Sequence, residues 1–122
     1  MYTVRMATEE SYRDYVLEQA TGAGTLGTKH MFGVYCLYCD GKPVGFICED
    51  SVLVKPTDEG RSYIGDVEER ELFPGSKLWF AIDDKLDDRE WFAGLIKLTA
   101  STLPPPKNRT LRAGGKRKYL IN

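Results

Sequence analysis

The dipeptide Asp40-Gly41 restricts the fold of this chain more than any other feature of its sequence. It stands between two β-rich runs, and Asp-Gly is a favoured pair for a two-residue hairpin turn because both central residues of a type I′ turn need positive φ. Such a turn pairs Cys39 with Lys42 and, in a regular ladder, Leu37 with Val44. Strands joined by so short a turn are antiparallel, so the sequence predicts an antiparallel sheet.

The hairpin register assigns each strand residue to one face of the sheet, because side chains alternate along a strand. The first face is expected to carry Tyr35, Leu37, Val44, Phe46 and Leu53. The second is expected to carry Val34, Cys36, Tyr38, Ile47, Val52 and Val54. Both faces are apolar, so helices can cover one, while the other needs further chain or a second copy of the protein. We therefore predict a partner or dimer face formed by Val34, Tyr38, Ile47, Val52 and Val54.

Capping and turn signals divide the rest of the chain into three helices and three more short strands. Helices are predicted from Thr8 to Gly22, from Thr57 to Ile64, and from Asp87 to Leu103. Strands are predicted at 52–54, 71–73 and 77–82, after turns at Glu49-Asp50 and Pro74-Gly75. The order α-βββ-α-ββ-α predicts an α+β fold, with helices packed on one face of an antiparallel sheet.

Charge divides the chain of 122 residues into one domain and a tail. All eighteen acidic residues precede Leu103 together with eleven basic ones, which gives this part a net charge of −7. Pro104-Pro105-Pro106 marks the boundary, so we predict a domain at 1–103 and a flexible basic tail at 104–122. The tail carries six basic residues, the candidate polyanion contacts: Lys107, Arg109, Arg112, Lys116, Arg117 and Lys118.

The location expected from the sequence is the cytoplasm, with no membrane partner. No apolar run approaches the ~18 residues of a membrane span, and the start MYTVRMATEE lacks the apolar stretch of a signal peptide. The three cysteines, an odd number, fit a reducing compartment.

The cysteines Cys36, Cys39 and Cys48 and the single histidine, His30, supply four residues of the types that bind zinc. In the predicted register Cys39 and Cys48 share one face and Cys36 lies on the other, so neither a zinc site nor a disulfide is expected.

Two other patterns have structural explanations. The run from Gly22 to Gly27 matches G-x-G-x-x-G, but it follows a helix and precedes strands, the reverse of a dinucleotide site. The carboxylates Asp83, Asp84, Asp87 and Asp88 stand ahead of a helix, where capping and the helix dipole favour acids. No catalytic, cofactor or metal residue is therefore assigned.

Several runs of the sequence carry a family resemblance. They are Met31-Phe32-Gly33-Val34-Tyr35, Leu37-Tyr38-Cys39-Asp40-Gly41-Lys42, Pro74-Gly75-Ser76-Lys77 and Leu86-Asp87-Asp88-Arg89-Glu90-Trp91. They resemble the N-terminal domain of the TfoX/Sxy competence-regulator family in its short stand-alone members, over about Ala7 to Lys107. The resemblance implies an α+β fold similar to the secretion-chaperone-like group, and a bacterial protein related to regulators of DNA-uptake genes. It brings no catalytic residues.

The function expected from these features is that of a non-enzymatic bacterial regulatory or protein-interaction domain that binds through its sheet. A homodimer and an unidentified protein partner are expected, without cofactor or metal. The alternative is a nucleic-acid-associated accessory protein, whose basic tail contacts phosphates weakly and without sequence preference. An enzyme of unfamiliar type is the third class.

Overall fold

Three α-helices lie against one face of a six-stranded antiparallel sheet in the computed structural model, which describes residues 9–105. The elements are α1 (Glu10–Gln19), β1 (Leu26–Met31), β2 (Val34–Cys39), β3 (Lys42–Ile47), β4 (Val52–Val54), α2 (Asp58–Ile64), β5 (Glu69–Glu71), β6 (Leu78–Ile82) and α3 (Arg89–Thr102), with a 3-10 turn over Asp84–Asp87. The strands lie side by side in the order β1-β2-β3-β4-β6-β5. The predicted α+β class is confirmed.

The sheet has one strand more than the sequence predicted, because the first predicted run is divided in two. Met31 pairs with Val34 across a two-residue turn formed by Phe32 and Gly33. Their φ values of 53° and 81° match those of the predicted Asp40-Gly41 turn, 55° and 80°. Phenylalanine rarely adopts positive φ, so Phe-Gly is not a recognised turn signal.

A β-bulge in β3 corrects the predicted register. Next to the turn the pairing is as predicted, but beyond it Leu37 lies opposite Gly45 instead of Val44. The irregularity follows Pro43, which has no N–H to donate to the ladder and is therefore tolerated beside a bulge. One extra residue in β3 moves each later side chain to the opposite face.

The bulge separates the residues that were predicted to form a partner or dimer face. Ile47, Val52 and Val54 belong to the core beneath the helices and are fully buried. Val34 and Tyr38 are half-buried on the other face of the sheet. The five residues therefore do not form one surface.

The helices cover the sheet through one apolar core. Phe92, Leu95 and Ile96 of α3 and Val16 of α1 are fully buried in this core, against Phe80 of β6. We call this side of the sheet the covered face.

The helix starts agree with the capping signals to within two residues. The Thr57 side chain accepts a hydrogen bond of 2.9 Å from the backbone N–H of Gly60, as the prediction for α2 requires. α3 is capped by Asp88, one residue after the predicted Asp87, and the Asp88 carboxylate accepts from the backbone N–H of Trp91 at 3.2 Å. β5 lies two residues earlier than predicted.

Some predictions fall on residues that the structure does not describe. The predicted start of α1 at Thr8, the residue Pro106 and the six tail cations Lys107, Arg109, Arg112, Lys116, Arg117 and Lys118 lie outside residues 9–105. Within that range no helix has the length and apolar character needed to cross a membrane.

Candidate functional site

The sheet face turned away from the helices is here called the open face. Strand alternation and the observed pairing place on it Lys29, Met31, Val34, Cys36, Tyr38, Phe46, Cys48, Leu53, Lys55, Arg70, Leu72, Lys77, Trp79 and Ala81. Leu53, Trp79 and Ala81 form a small buried cluster at its centre. The ring of Phe46 meets that of Trp79 edge to face, with centroids 5.5 Å apart. The open face therefore has a packed apolar floor of its own.

An apolar groove lies on this floor. Its volume is about 540 Å³, and its lining consists of Met31, Phe32, Val34, Phe46, Leu72 and Phe73. Phe32, on the β1–β2 turn, is 97% exposed, and Phe73, on the β5–β6 turn, is 61% exposed. Turns from both edges of the sheet thus present aromatic side chains beside one groove.

Four basic side chains lie on the open face: Lys29 and Arg70 within strands, Lys55 one residue after β4 and Lys77 one residue before β6. Strand alternation also places the acidic Glu68, one residue before β5, on this face. Arg70 pairs with Glu68 at 2.9 Å and with Asp50 at 3.6 Å. The Lys77 ammonium lies 5.4 Å from the centroid of the Trp79 ring. Within residues 9–105, none of the three lysines forms an ion pair with a carboxylate.

The charges of the three lysines affect the pKa values of neighbouring side chains on the open face. Burial lowers the pKa of Lys55, and the positive charge of Lys77 lowers it further. Burial raises the pKa of Cys36, while a hydrogen bond from Tyr38 and the charges of Lys55 and Lys29 lower it. Lys77 thus acts on Lys55, and Lys55 and Lys29 both act on Cys36, so we treat the three together as one positive patch, the lysine patch.

The cysteines are arranged differently from the prediction. Cys36 and Cys48 lie on the open face, and Cys39 lies on the covered face. Cys48 differs from the prediction because it follows the bulge, which moves it to the side of the sheet opposite Cys39. All three are free thiols. Among residues 9–105, no three His, Cys, Asp or Glu side chains are grouped so as to hold a metal ion.

The other residues considered as chemical candidates have structural contacts. The His30 ring packs against Tyr35, with centroids 4.8 Å apart. Asp87 accepts a hydrogen bond from the Tyr15 hydroxyl. A smaller cavity of about 220 Å³ includes Asp83 and Asp84 among its lining residues. In that cavity the Lys85 ammonium lies 4.8 Å from the Trp91 ring centroid.

Of the predicted partner face, only Val34 lines the groove, and Tyr38 shares its side of the sheet. The sequence analysis missed the two exposed turn aromatics and the lysine patch. β1, with the sequence Leu-Gly-Thr-Lys-His-Met, has no regular alternation of apolar and polar residues, so no period-2 signal marks it or its outward side chains.

Comparisons with known proteins agree with the fold and the resemblance. The TfoX N-terminal domain family matches residues 18–102. A protein of Spirochaeta aurantia, named "uncharacterized 12.7 kDa protein in trpE 5' region", is 40% identical over 104 residues, which are 85% of this chain and 90% of that protein. No solved structure matches. Since the family match spans most of the chain, the protein belongs to the TfoX N-terminal domain family.

Proposed function

We propose that this protein is a non-enzymatic regulatory domain, and that it acts by binding another protein through the open face of its sheet. Membership of the TfoX N-terminal domain family supports a regulatory or interaction domain in general. The observation that carries the proposal is the apolar groove of about 540 Å³ between Phe32 and Phe73. Contiguous exposed apolar surface of this kind is typical of interaction sites.

The conformation of Phe32 supports the same proposal. Its φ of 53° is unfavourable for a residue with a side chain, at a cost of about 1–2 kcal/mol. The ring is 97% exposed, so packing within residues 9–105 does not offset this cost. Backbone strain of this type is concentrated at functional positions, and contact with a partner would give the exposed ring a role.

The thiols on the open face favour binding over covalent catalysis. Burial raises the pKa of Cys48 to about 11, with the nearby negative charge of Asp50 acting in the same direction. Burial also raises the pKa of Cys36. A nucleophilic cysteine needs a lowered pKa, so both thiols lack the activation that such a role requires.

The nucleic-acid alternative depends on the tail, which lies outside the described residues, and it stays a prediction. So does the homodimer. Both can be separated experimentally from binding through the groove.

The test is capture of partners from bacterial lysate by the full chain and two variants. Phe32→Ser with Phe73→Ser removes the two exposed aromatic side chains of the groove. Leu78→Ser is the matched control, because Leu78 is also apolar and 50% exposed but does not line the groove. We expect one protein to be retained by wild type and the Leu78 variant and lost with the double variant. Equal retention by all three would contradict binding through the groove.

A further inference from the structure

We infer that the open face binds an acidic protein segment in which carboxylates alternate with apolar side chains. The inference rests on the proposed function and names the chemistry of its partner. The apolar groove would take the apolar side chains, and the lysine patch beside it would take the carboxylates.

The charge of the open face is opposite to that of the rest of the domain. Residues before Leu103 carry eleven basic and eighteen acidic side chains, a net charge of −7. Yet four basic side chains lie on the open face: Lys29, Lys55, Arg70 and Lys77. Glu68 and Asp50 pair with Arg70, so the three lysines are the positive charge left without an ion pair within residues 9–105. A basic face on an acidic domain is complementary to an anionic partner.

The groove and the lysine patch are neighbours at the spacing of an extended chain. Lys29 and Met31 are two residues apart on β1 and share the open face, so they are separated by about 7 Å along the strand. Side chains two apart in a bound extended peptide have the same spacing. A peptide lying along β1 could therefore place a carboxylate at Lys29 and an apolar side chain at Met31.

Two occupants from this chain itself fit less well. A symmetric dimer through the open face would join two copies of the same positively charged surface, and like charges brought together are destabilising. The C-terminal segment 107–118 carries six basic residues and no acidic one, so the lysine patch repels it as well.

A single-stranded nucleic acid also fits less well than an acidic peptide. Trp79 is only 8% exposed and its ring meets Phe46 at 73°, so this aromatic pair offers no stacking surface for a base, which could stack only on more exposed rings such as Phe32 and Phe73. The carboxylates of Asp50 and Glu68 surround Arg70 at the margin of the open face. They would repel a continuous phosphate backbone, whereas a peptide can place neutral residues there.

The test is a titration of the ¹⁵N-labelled full chain followed by amide chemical shifts. The probe is a short peptide in which Asp or Glu alternates with Phe and Leu. One control peptide replaces the acids by Asn and Gln, a second replaces Phe and Leu by Ser, and oligo-dT serves as the nucleic-acid probe. We expect the first peptide to shift amides of β1, β4 and β6 and to bind about tenfold more tightly than either control peptide. One control peptide lacks the charge interaction with the lysines, and the other lacks the apolar contacts in the groove.

Two double variants with the same change of charge show which lysines matter. Lys29→Glu with Lys77→Glu reverses two exposed charges on the open face, and Lys85→Glu with Lys97→Glu reverses two exposed charges elsewhere. We expect the first pair to weaken peptide binding about tenfold and the second pair less than twofold, because exposed charges act mainly within a Debye length of about 10 Å. Circular dichroism checks that both variants are folded.

The outcomes separate the inference from the proposed function. Equal binding of the acidic and amide peptides in the groove would overturn the acidic class while leaving the interaction surface. Tighter binding of oligo-dT to the same amides would overturn the peptide in favour of nucleic acid. An increase in mass to a dimer without peptide, with the same amides shifted, would overturn it in favour of a second copy. No shift of open-face amides by any probe would overturn both proposals.

Discussion

Lys42 links the hairpin to the last turn of α3, where its ammonium donates a hydrogen bond of 3.0 Å to the backbone carbonyl oxygen of Ala100. The carbonyl oxygens in the last turn of a helix lack the N–H donor of a following turn, and a cation there also interacts favourably with the helix dipole. The Ala100 oxygen accepts a second hydrogen bond, of 3.2 Å, from the backbone N–H of Leu103. Lys42 directly follows the Asp40-Gly41 turn, so one side chain joins the most predictable turn of the sequence to the longest helix.

Replacing Lys42 by Met should destabilise the fold by about 1–2 kcal/mol, since a charge-assisted hydrogen bond is lost and the Ala100 carbonyl keeps only its donor from Leu103. Urea unfolding followed by circular dichroism measures this. Lys97→Met is the control, because Lys97 is an exposed lysine on α3. If both variants lose the same free energy of unfolding, the contact with Ala100 does not contribute.

Gly45 should tolerate no side chain. A Cβ at this position would lie 2.4 Å from the Leu53 carbonyl oxygen on β4, closer than atoms can approach, and the neighbouring backbone would have to move. We expect Gly45→Ala to cost about 3 kcal/mol or more, at the upper end of overpacking effects. Gly27→Ala is the matched control, because no atom lies within 4 Å of its Cβ position. A loss below about 1 kcal/mol in thermal unfolding of the Gly45 variant would contradict this packing.

Phe32→Asn should stabilise the isolated protein while weakening partner binding. Asparagine accepts positive φ more readily than phenylalanine, and the exposed Phe32 ring contributes no packing within the described residues. We expect a gain of about 1 kcal/mol in the free energy of unfolding. Phe73→Asn is the control, since Phe73 is also exposed but has no positive φ. A destabilised Phe32 variant would indicate that its ring packs in solution.

Signals within a few residues were sufficient to predict most of the fold. Asp40-Gly41 formed the expected turn, and Thr57 capped α2 as its hydroxyl and position require. The β1–β2 turn was missed because a phenylalanine at positive φ has no local explanation in the sequence. The bulge was missed because Pro43 is compatible with an irregular ladder but does not by itself predict one.

That bulge also explains why the candidate site was only partly predictable. A register error of one residue exchanges the two faces, so Ile47 was assigned to the partner face and Phe46 to the face under the helices. The lysine patch comes from three strands and becomes visible only when their pairing is known. Apolar composition on both faces was correctly expected, but composition cannot assign residues to a face.

The buried thiol of Cys48 should make stability depend on pH in the alkaline range. Burial, together with the charge of Asp50, raises its pKa from 9.0 to about 11. The folded state thus favours the protonated thiol, and the associated stability is present below pH 9 and is lost as pH rises from 9 to 11. We expect the free energy of unfolding of wild type to fall more steeply over this window than that of Cys48→Ala. Parallel curves for the two proteins in urea titrations would show that Cys48 is not buried in this way.

The six tail cations give the sharpest test of the nucleic-acid alternative. If all six neutralised phosphates of duplex DNA, the logarithm of the binding constant would fall with the logarithm of salt concentration at a slope of about −5. This corresponds to about a thousandfold weakening between 50 and 200 mM salt. The acidic domain, with a net charge of −7 before Leu103, opposes this binding, so we expect it to be detectable only at low salt and without sequence preference.

Fluorescence anisotropy should compare the full chain with a variant of the same length in which the tail cations are all Gln. The substituted residues are Lys107, Arg109, Arg112, Lys116, Arg117 and Lys118. A loss of DNA binding in this variant, with peptide binding at the open face unchanged, would assign the two anionic partners to separate parts of the chain. Equal DNA binding by both proteins would instead place the phosphate contacts outside the tail. Within residues 9–105, the lysine patch is then the candidate for these contacts. Because Lys29→Glu with Lys77→Glu reverses two of the three charges of that patch and leaves the tail intact, the same measurement on this double variant decides between the two locations.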